Sequence, residues 1–210
     1  MFDPERQRRV GATDVSAILG LSKWADALDV YERIVNGIER PWNKGMKRGF
    51  ASEDTIRALA VERYGFKLQP RPGTVQSKRW PWACASPDDL IETPQGLAVV
   101  DYKSWSRWAA KSWGLEGTDQ VPDAYLVQIH WQMAVCERPL GRLVVAFGED
   151  AKGPPPTFEI QWTNLYVFER DPAFEDQLGR AVETFWREHV EKRIPPPRTL
   201  KKKTKSKEAA

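Results

Sequence analysis

Apolar positions recur with a helical period at the start of the chain. Val15, Ile18 and Leu19 form one stripe behind Thr13, which reads as a helix cap, with Gly20 at the end. Leu28, Tyr31, Ile34 and Val35 form a second stripe up to Gly37, and Ile56, Leu59 and Ala60 a third within Phe50–Tyr64, closed by Gly65. After Gly65 the pattern changes to short extended runs. Leu97–Lys103 is the clearest strand, and Thr93-Pro94-Gln95-Gly96 is turn chemistry joining it to Asp89–Glu92, so the two runs predict a hairpin. Trp105–Trp113 and Pro122–Glu137 predict helices, the second with proline in its first turn and Tyr125, Ile129, Met133 and Cys136 facing inward. Leu143–Phe147 and Thr157–Phe168 predict strands. Asp171-Pro172 opens a helix carrying Phe174, Leu178, Val182 and Phe185, which Pro195-Pro196-Pro197 stops. Helices, a strand cluster, then helix, strands and helix predict a mixed α/β or α+β domain over residues 1–197, followed by a disordered basic tail at 198–210.

Composition narrows the class. The chain has 210 residues, 41% of them hydrophobic, with no internal repeat and no apolar run long enough to cross a bilayer. That argues against a membrane-spanning protein and a fibrous rod. Its 2 cysteines, Cys84 and Cys136, lie far apart with no Cys-x-x-Cys pattern. They cannot build a disulfide scaffold or a zinc site, and they read as buried thiols in a reducing compartment. The opening stretch is charged where a secretory signal would be apolar, so the expected location is the cytoplasm. The net charge of +3 comes from the tail, because 27 basic and 28 acidic residues precede Lys201. Lys201, Lys202, Lys203, Lys205 and Lys207 could add phosphate contacts or serve only as a solubilising end.

The chemistry lies on the predicted hairpin. Alternation along Leu97–Lys103 puts Val99, Asp101 and Lys103 on one face and Ala98, Val100 and Tyr102 on the other. A turn at Thr93–Gly96 pairs Glu92 with Leu97 and, stepping outward, Asp88 with Asp101. Two carboxylates facing each other at the end of an apolar face repel, and a divalent cation between them resolves the conflict. A third acid, Glu53, shares a helical stripe with Ile56, Ala60 and Tyr64. Three carboxylates beside a lysine suit Mg²⁺, with Mn²⁺ as a substitute, and that set suits phosphodiester hydrolysis, with Lys103 orienting the attacking water or stabilising the transition state. Asp-x-Lys alone is a common tripeptide, so the joint placement carries this reading. His130 and His189 show no ligand spacing.

Gly49-Phe50-Ala51-Ser52-Glu53, Ala85-Ser86-Pro87-Asp88-Asp89-Leu90, Val99-Val100-Asp101-Tyr102-Lys103 and Tyr125-Leu126-Val127-Gln128 resemble, in order and spacing, the motifs of the YqaJ-type viral recombinase nucleases. Those include the lambda-type alkaline exonuclease and belong to the PD-(D/E)xK superfamily. Arg9–Asp14 and Ile18–Trp24 resemble that family's opening segment, and the similarity covers about residues 8 to 195. The resemblance implies a restriction-endonuclease-like core, a central mixed sheet flanked by helices, and Mg²⁺-dependent degradation of double-stranded DNA ends in phage-type recombination. It implies a bacterial or phage-infected host, a homo-oligomer, most simply a trimeric ring, and a single-strand annealing protein as partner. By the same resemblance Glu53, Asp88, Asp101 and the Tyr102 carbonyl hold the metal, Lys103 is the catalytic lysine, and Gln128 is the helix glutamine near the site. Arg9, Thr13 and Ser86 match positions that hold a terminal 5′-phosphate, implying 5′-to-3′ polarity. Asp101 stands where relatives more often carry Glu, and Asp89 where they usually carry Gly. Among the 10 tryptophans, Trp24, Trp80, Trp82, Trp105 and Trp108 lie nearest the motifs and could stack on a frayed strand. Alternatives are a structure-specific or nicking endonuclease on the same core and a DNA-binding recombination module that has lost hydrolysis. No phosphate-binding loop of an ATPase is present.

Overall fold

Alternation of apolar side chains along two long strands sets the architecture of the computed structural model, which describes residues 4–150 and 158–199. β5 (Gly96–Ser106) and β6 (Leu140–Asp150) pair in parallel from Ala98↔Leu140 to Ser106↔Gly148. Both are buried on two faces, which explains their near-continuous apolar runs. β4 (Asp89–Thr93) and β7 (Phe158–Glu169) flank them antiparallel, and the two-residue β1 (Lys67–Leu68) pairs with β4. The resulting five-stranded mixed sheet has the order β1-β4-β5-β6-β7. β2 (Val75–Gln76) and β3 (Cys84–Ala85) form a separate two-stranded ladder. The chain opens with α1 (Pro4–Gln7), α2 (Ala12–Ile18), α3 (Ala27–Asn36) and α4 (Lys44–Tyr64). α5 (Asp123–Cys136) makes the crossover that a parallel pair requires, and α6 (Pro172–Phe185) follows β7. The expected mixed sheet flanked by helices is the observed fold.

Each sheet face has its own cover. Val99, Leu143, Val145 and Phe147 pack under α2, α5 and α6, whereas Ala98, Val100, Tyr102 and Val144 pack under Ile56 and Ala60 of α4. On the first face Trp131 is fully buried, stacks on Trp80 at 5.2 Å with 6° between the planes, and donates from Nε1 to the Cys84 carbonyl at 3.1 Å. Close approach of α5 to β6 requires Gly141, where a Cβ would lie 2.7 Å from Ile129 Cγ1. Cys84 and Cys136 are buried free thiols, pushed up to about 11 and about 12 by burial, which keeps them unreactive.

Four local expectations are corrected. The N-cap of α2 is Gly11, whose N–H donates to Asp14 Oδ2 at 2.7 Å, so Thr13 lies inside the first turn with its side chain exposed. α4 starts six residues before Phe50, at Lys44, because Asn43 accepts from the Met46 N–H at 2.9 Å and the helix runs through Gly45 and Gly49. The predicted helix Trp105–Trp113 is instead the end of β5 and a 3₁₀ segment, Arg107–Ser112, since pairing with β6 continues through Ser106. Pro122 is the N-cap of α5. α6 continues as a π-helical segment, Trp186–Glu191, before the prolines. The predicted start of β7 at Thr157 and the lysines of the tail lie outside the described residues. Among the described residues no helix is long and apolar enough to cross a membrane.

Candidate active site

The hairpin register puts the two acids side by side. Thr93 pairs with Gly96, Glu92 with Leu97 and Asp89 with Val100, and the Asp88 N–H donates to the Val100 carbonyl at 3.0 Å. The next rung therefore sets Asp88 beside Asp101 where β4 gives out. Asp88 Oδ2 accepts the Tyr102 N–H at 2.7 Å. Burial, then the Asp101 carboxylate, pushes Asp88 up to about 8.

Asp101 is held from α5. Gln128 and Gln132, one helical turn apart, both donate through Nε2 to Asp101 Oδ1, at 3.1 and 2.9 Å. That leaves Oδ2, which lies against the Lys103 ammonium in an ion pair. For Lys103, burial works against the charged form, but Asp101 and Asp88 outweigh it and hold the ammonium above its ordinary value. Lys103 is thus a cation at neutral pH, suited to stabilising anionic charge and unsuited to acting as a base.

A cavity of about 200 Å³ opens here, lined by Asp88, Asp101, Lys103, Gln128, Gln132 and Ser86, with Arg6, Gly11, Ala12 and Thr13 on the opposite wall. That wall is built by backbone. Val10 bridges to Ala83, donating to the Trp82 carbonyl at 2.8 Å and accepting from Cys84 at 2.9 Å. Arg33 of α3 then clamps it, donating to the carbonyls of Arg6, Gln7 and Arg9 and to Asp14 Oδ2 at 2.6 Å. Ser86 Oγ lies 2.9 Å from Thr74 Oγ1.

Six of the expected site residues therefore converge: Asp88, Asp101, Lys103, Gln128, Thr13 and Ser86. The Tyr102 backbone lies between Asp101 and Lys103 and is tied to Asp88. Arg9 does not line the cavity; its Nε donates to the Pro81 carbonyl at 3.2 Å, and Arg6 stands in the wall instead. Glu53 also lies outside the lining. Half-buried on α4, it is ion-paired with Arg71 at 3.5 Å. Burial raises its pKa, Arg71 opposes that, and Asp54, Asp101 and Asp89 add to it. Among the described residues no three Asp, Glu, His or Cys side chains converge on one point.

Sequence reasoning missed the role of Gln132, for which its place one helical turn beyond Gln128 is the available signal, and the buried pairing of Asp89. Asp89 faces away from Asp88 because successive strand residues point to opposite faces. Fully buried, it accepts from Arg57 Nε at 2.6 Å and the Tyr102 hydroxyl at 2.9 Å, with Arg71 Nε at 3.7 Å. Its charge is thus neutralised on the α4 side and does not crowd the Asp88–Asp101 pair.

The donor set fits a hard divalent cation. When both are ionised, the two adjacent buried carboxylates carry more negative charge than the single Lys103 ammonium offsets, so Asp88 holds its proton more tightly than a free carboxyl and a divalent cation fits between them. All available donors are oxygens, and Mg²⁺ is commonly held by one or two carboxylates, with water and phosphate completing its shell.

A family model for the YqaJ-like viral recombinase domain matches residues 2–139. The protein YqaJ of Bacillus subtilis (strain 168) is 23% identical over 190 residues, covering 89% of this chain and 54% of its own. The chain thus spans about half the length of that curated relative. Among solved structures, the alkaline exonuclease LHK-Exo of Laribacter hongkongensis superposes with a TM-score of 0.67 at 20% identity, covering 90% of this chain and 91% of its own. A phage-related exonuclease of Haemophilus somnus 129PT gives 0.60 at 13% identity, with 88% and 96% covered. SOX in a DNA complex gives 0.61 at 9% identity, with 91% and 67% covered. At such identities these likenesses establish the fold.

Proposed function

Because the chain belongs to the YqaJ-like viral recombinase domain family, we propose that it is a divalent-metal-dependent DNA exonuclease that hydrolyses duplex ends from 5′ to 3′. The observation that carries this reading is the Asp88–Asp101 pair with Lys103 beside it, held by Gln128 and Gln132 in a polar cavity. Two solved structures sharing the fold are described as exonucleases.

In this reading Asp88, Asp101 and the Tyr102 carbonyl hold Mg²⁺ or Mn²⁺, and Glu53 adds negative charge from α4 at the edge of the site. The bound metal supplies an acidified water and neutralises charge on the scissile phosphate. The chain's own residues prepare the rest. Gln128 and Gln132 occupy one oxygen of Asp101 and so fix which oxygen faces the cavity. Lys103 keeps its proton and donates toward the phosphate oxygen on which charge grows. Thr13 and Ser86 offer hydroxyls, and Arg6 a guanidinium, to a terminal 5′-phosphate in the cavity. A role in phage-type recombination, an annealing-protein partner and a trimeric ring belong to the same proposal.

Duplexes labelled at either terminus, with and without a 5′-phosphate, test the reading. Wild type in Mg²⁺ shortens the strand from its 5′ end and prefers the phosphorylated terminus. Asp101→Asn and Lys103→Ala lose cleavage at least a hundredfold while remaining folded, as expected when charge stabilisation at the reacting phosphate is removed. Near-normal cleavage by either folded variant contradicts the site, and shortening from the 3′ end contradicts the polarity.

A further inference from the structure

β5 ends three residues beyond Lys103, and Trp108, five residues beyond Lys103, lies in a segment of unusual character. From Tyr102 to Leu115 the chain carries Lys103, Arg107 and Lys111, three tryptophans and no acidic residue, in a protein whose first 200 residues are otherwise near charge balance. Trp108 within it is 70% exposed, more than any other tryptophan described. One face of its indole is occupied, since the Arg107 guanidinium lies 4.5 Å above the ring centroid and is itself ion-paired with Glu149. The ring is therefore held by a pinned cation while its surface stays open to solvent. On the same end of the sheet Lys44 and Arg48 of α4 reach Asp150, the neighbour of Glu149, at 2.8 and 3.5 Å. Arg48 also donates to the Ser104 carbonyl at 3.1 Å, tying this rim to the strand that carries Asp101 and Lys103. Lys44, Arg48, Arg107 and Lys111 outnumber Glu149, Asp150 and Glu159, the cross-strand neighbour of Glu149 on β7, so the rim keeps a net positive charge.

We propose that Arg107, Trp108 and Lys111 form a stacking platform for a single DNA strand beside the active site. The proposal rests on the nuclease reading above for its occupant and deepens it. Three arguments select an unpaired strand. The cationic surroundings attract a polyanion. An exposed indole gains stacking only from a base whose face is open, and bases inside a duplex are covered by their neighbours. The separation is also right, because five residues of extended chain reach at most about 18 Å, a few nucleotides from the reacting phosphate. Holding Trp108 beforehand through Arg107 and Glu149 reduces the ordering cost of binding.

Fluorescence anisotropy with a labelled oligothymidylate of about sixteen nucleotides, on the full chain in EDTA, tests the platform. Trp108→Ala weakens oligothymidylate binding about tenfold or more, Trp108→Phe restores most of it, and binding of a blunt duplex changes little. Trp108→Ala leaves the salt dependence unchanged, whereas Lys111→Ala lowers its slope by about 0.7, one phosphate contact on a single strand. Unchanged oligothymidylate affinity in Trp108→Ala, or equal loss on strand and duplex, overturns the proposal. So does a Trp108→Ala variant of smaller mass by light scattering with oligothymidylate binding intact, which makes the patch an interface between copies. A wild-type protein that cuts no DNA end yet binds the strand through Trp108 supports the platform and removes the nuclease reading alone. Cleavage of ends without any dependence of strand binding on Trp108 removes the platform alone.

Discussion

Asp88 is the residue on which the chemistry and the stability of the site meet. Its carboxyl is raised to about 8, so between about pH 4 and 8 the folded protein holds a proton that the unfolded chain has released. The folded state then binds more protons than the unfolded one, and metal-free stability falls as pH rises through that window. In the proposed site a divalent cation would have to displace that proton and would bind only the folded state, so its stabilising effect would grow with pH. The melting temperature of the metal-free protein should therefore decline from pH 5 to pH 8, with a rise on adding Mn²⁺ that is larger at pH 8. Asp88→Asn should flatten both trends, and a Mn²⁺ effect equal at the two pH values contradicts the assignment. On the opposite face, Asp89→Ala would strand the partly exposed Arg57. The expected cost lies below the ~3–5 kcal/mol of breaking a fully buried pair, because Arg57 and Arg71 can turn to solvent.

At the scale of elements, much of the site was legible because strand alternation and a four-residue turn leave little freedom. The pairing of Glu92 with Leu97, and hence the approach of Asp88 to Asp101, follows from Thr93–Gly96 alone. Other features were hidden from local pattern. The segment after Lys103 has helical spacing of tryptophans, yet pairing with β6 holds it extended to Ser106, a tertiary constraint that no short window carries. Glu53 shares a stripe with Ile56 and Ala60, but at its level the helix has passed the edge of the core and the side chain meets Arg71. The wall bearing Arg6 and Thr13 depends on Arg33, whose carbonyl contacts cannot be read from sequence. α5 carries both glutamines, and its seat on the sheet is set by Trp131 and Gly141. Trp131→Ala should cost about 3–5 kcal/mol and Gly141→Val about 1–3 kcal/mol in denaturant unfolding, from a cavity and an overpacked contact respectively. Gly141→Val should also reduce cleavage in the folded fraction, since its Cβ pushes Ile129, the neighbour of Gln128. Unchanged stability in both variants would show that α5 is seated by other contacts.

The whole molecule combines a near-neutral body with a local cationic rim. Long-range attraction to DNA is therefore weak, and enclosure of the duplex by several copies would supply processivity that charge does not. Light scattering at micromolar concentration should give three times the 24.1 kDa chain mass, and a monomer that dissociates after each cut contradicts the ring. The proposed site is one that hydrolyses DNA only from an end, through Asp88, Asp101, Lys103 and a divalent cation. The most direct test offers the protein one plasmid in two forms, linear and covalently closed, in Mg²⁺ and in EDTA. The account predicts that the linear form is degraded in Mg²⁺ alone and that the closed circle stays intact. Cutting of the closed circle, or an untouched linear duplex in Mg²⁺, would contradict it.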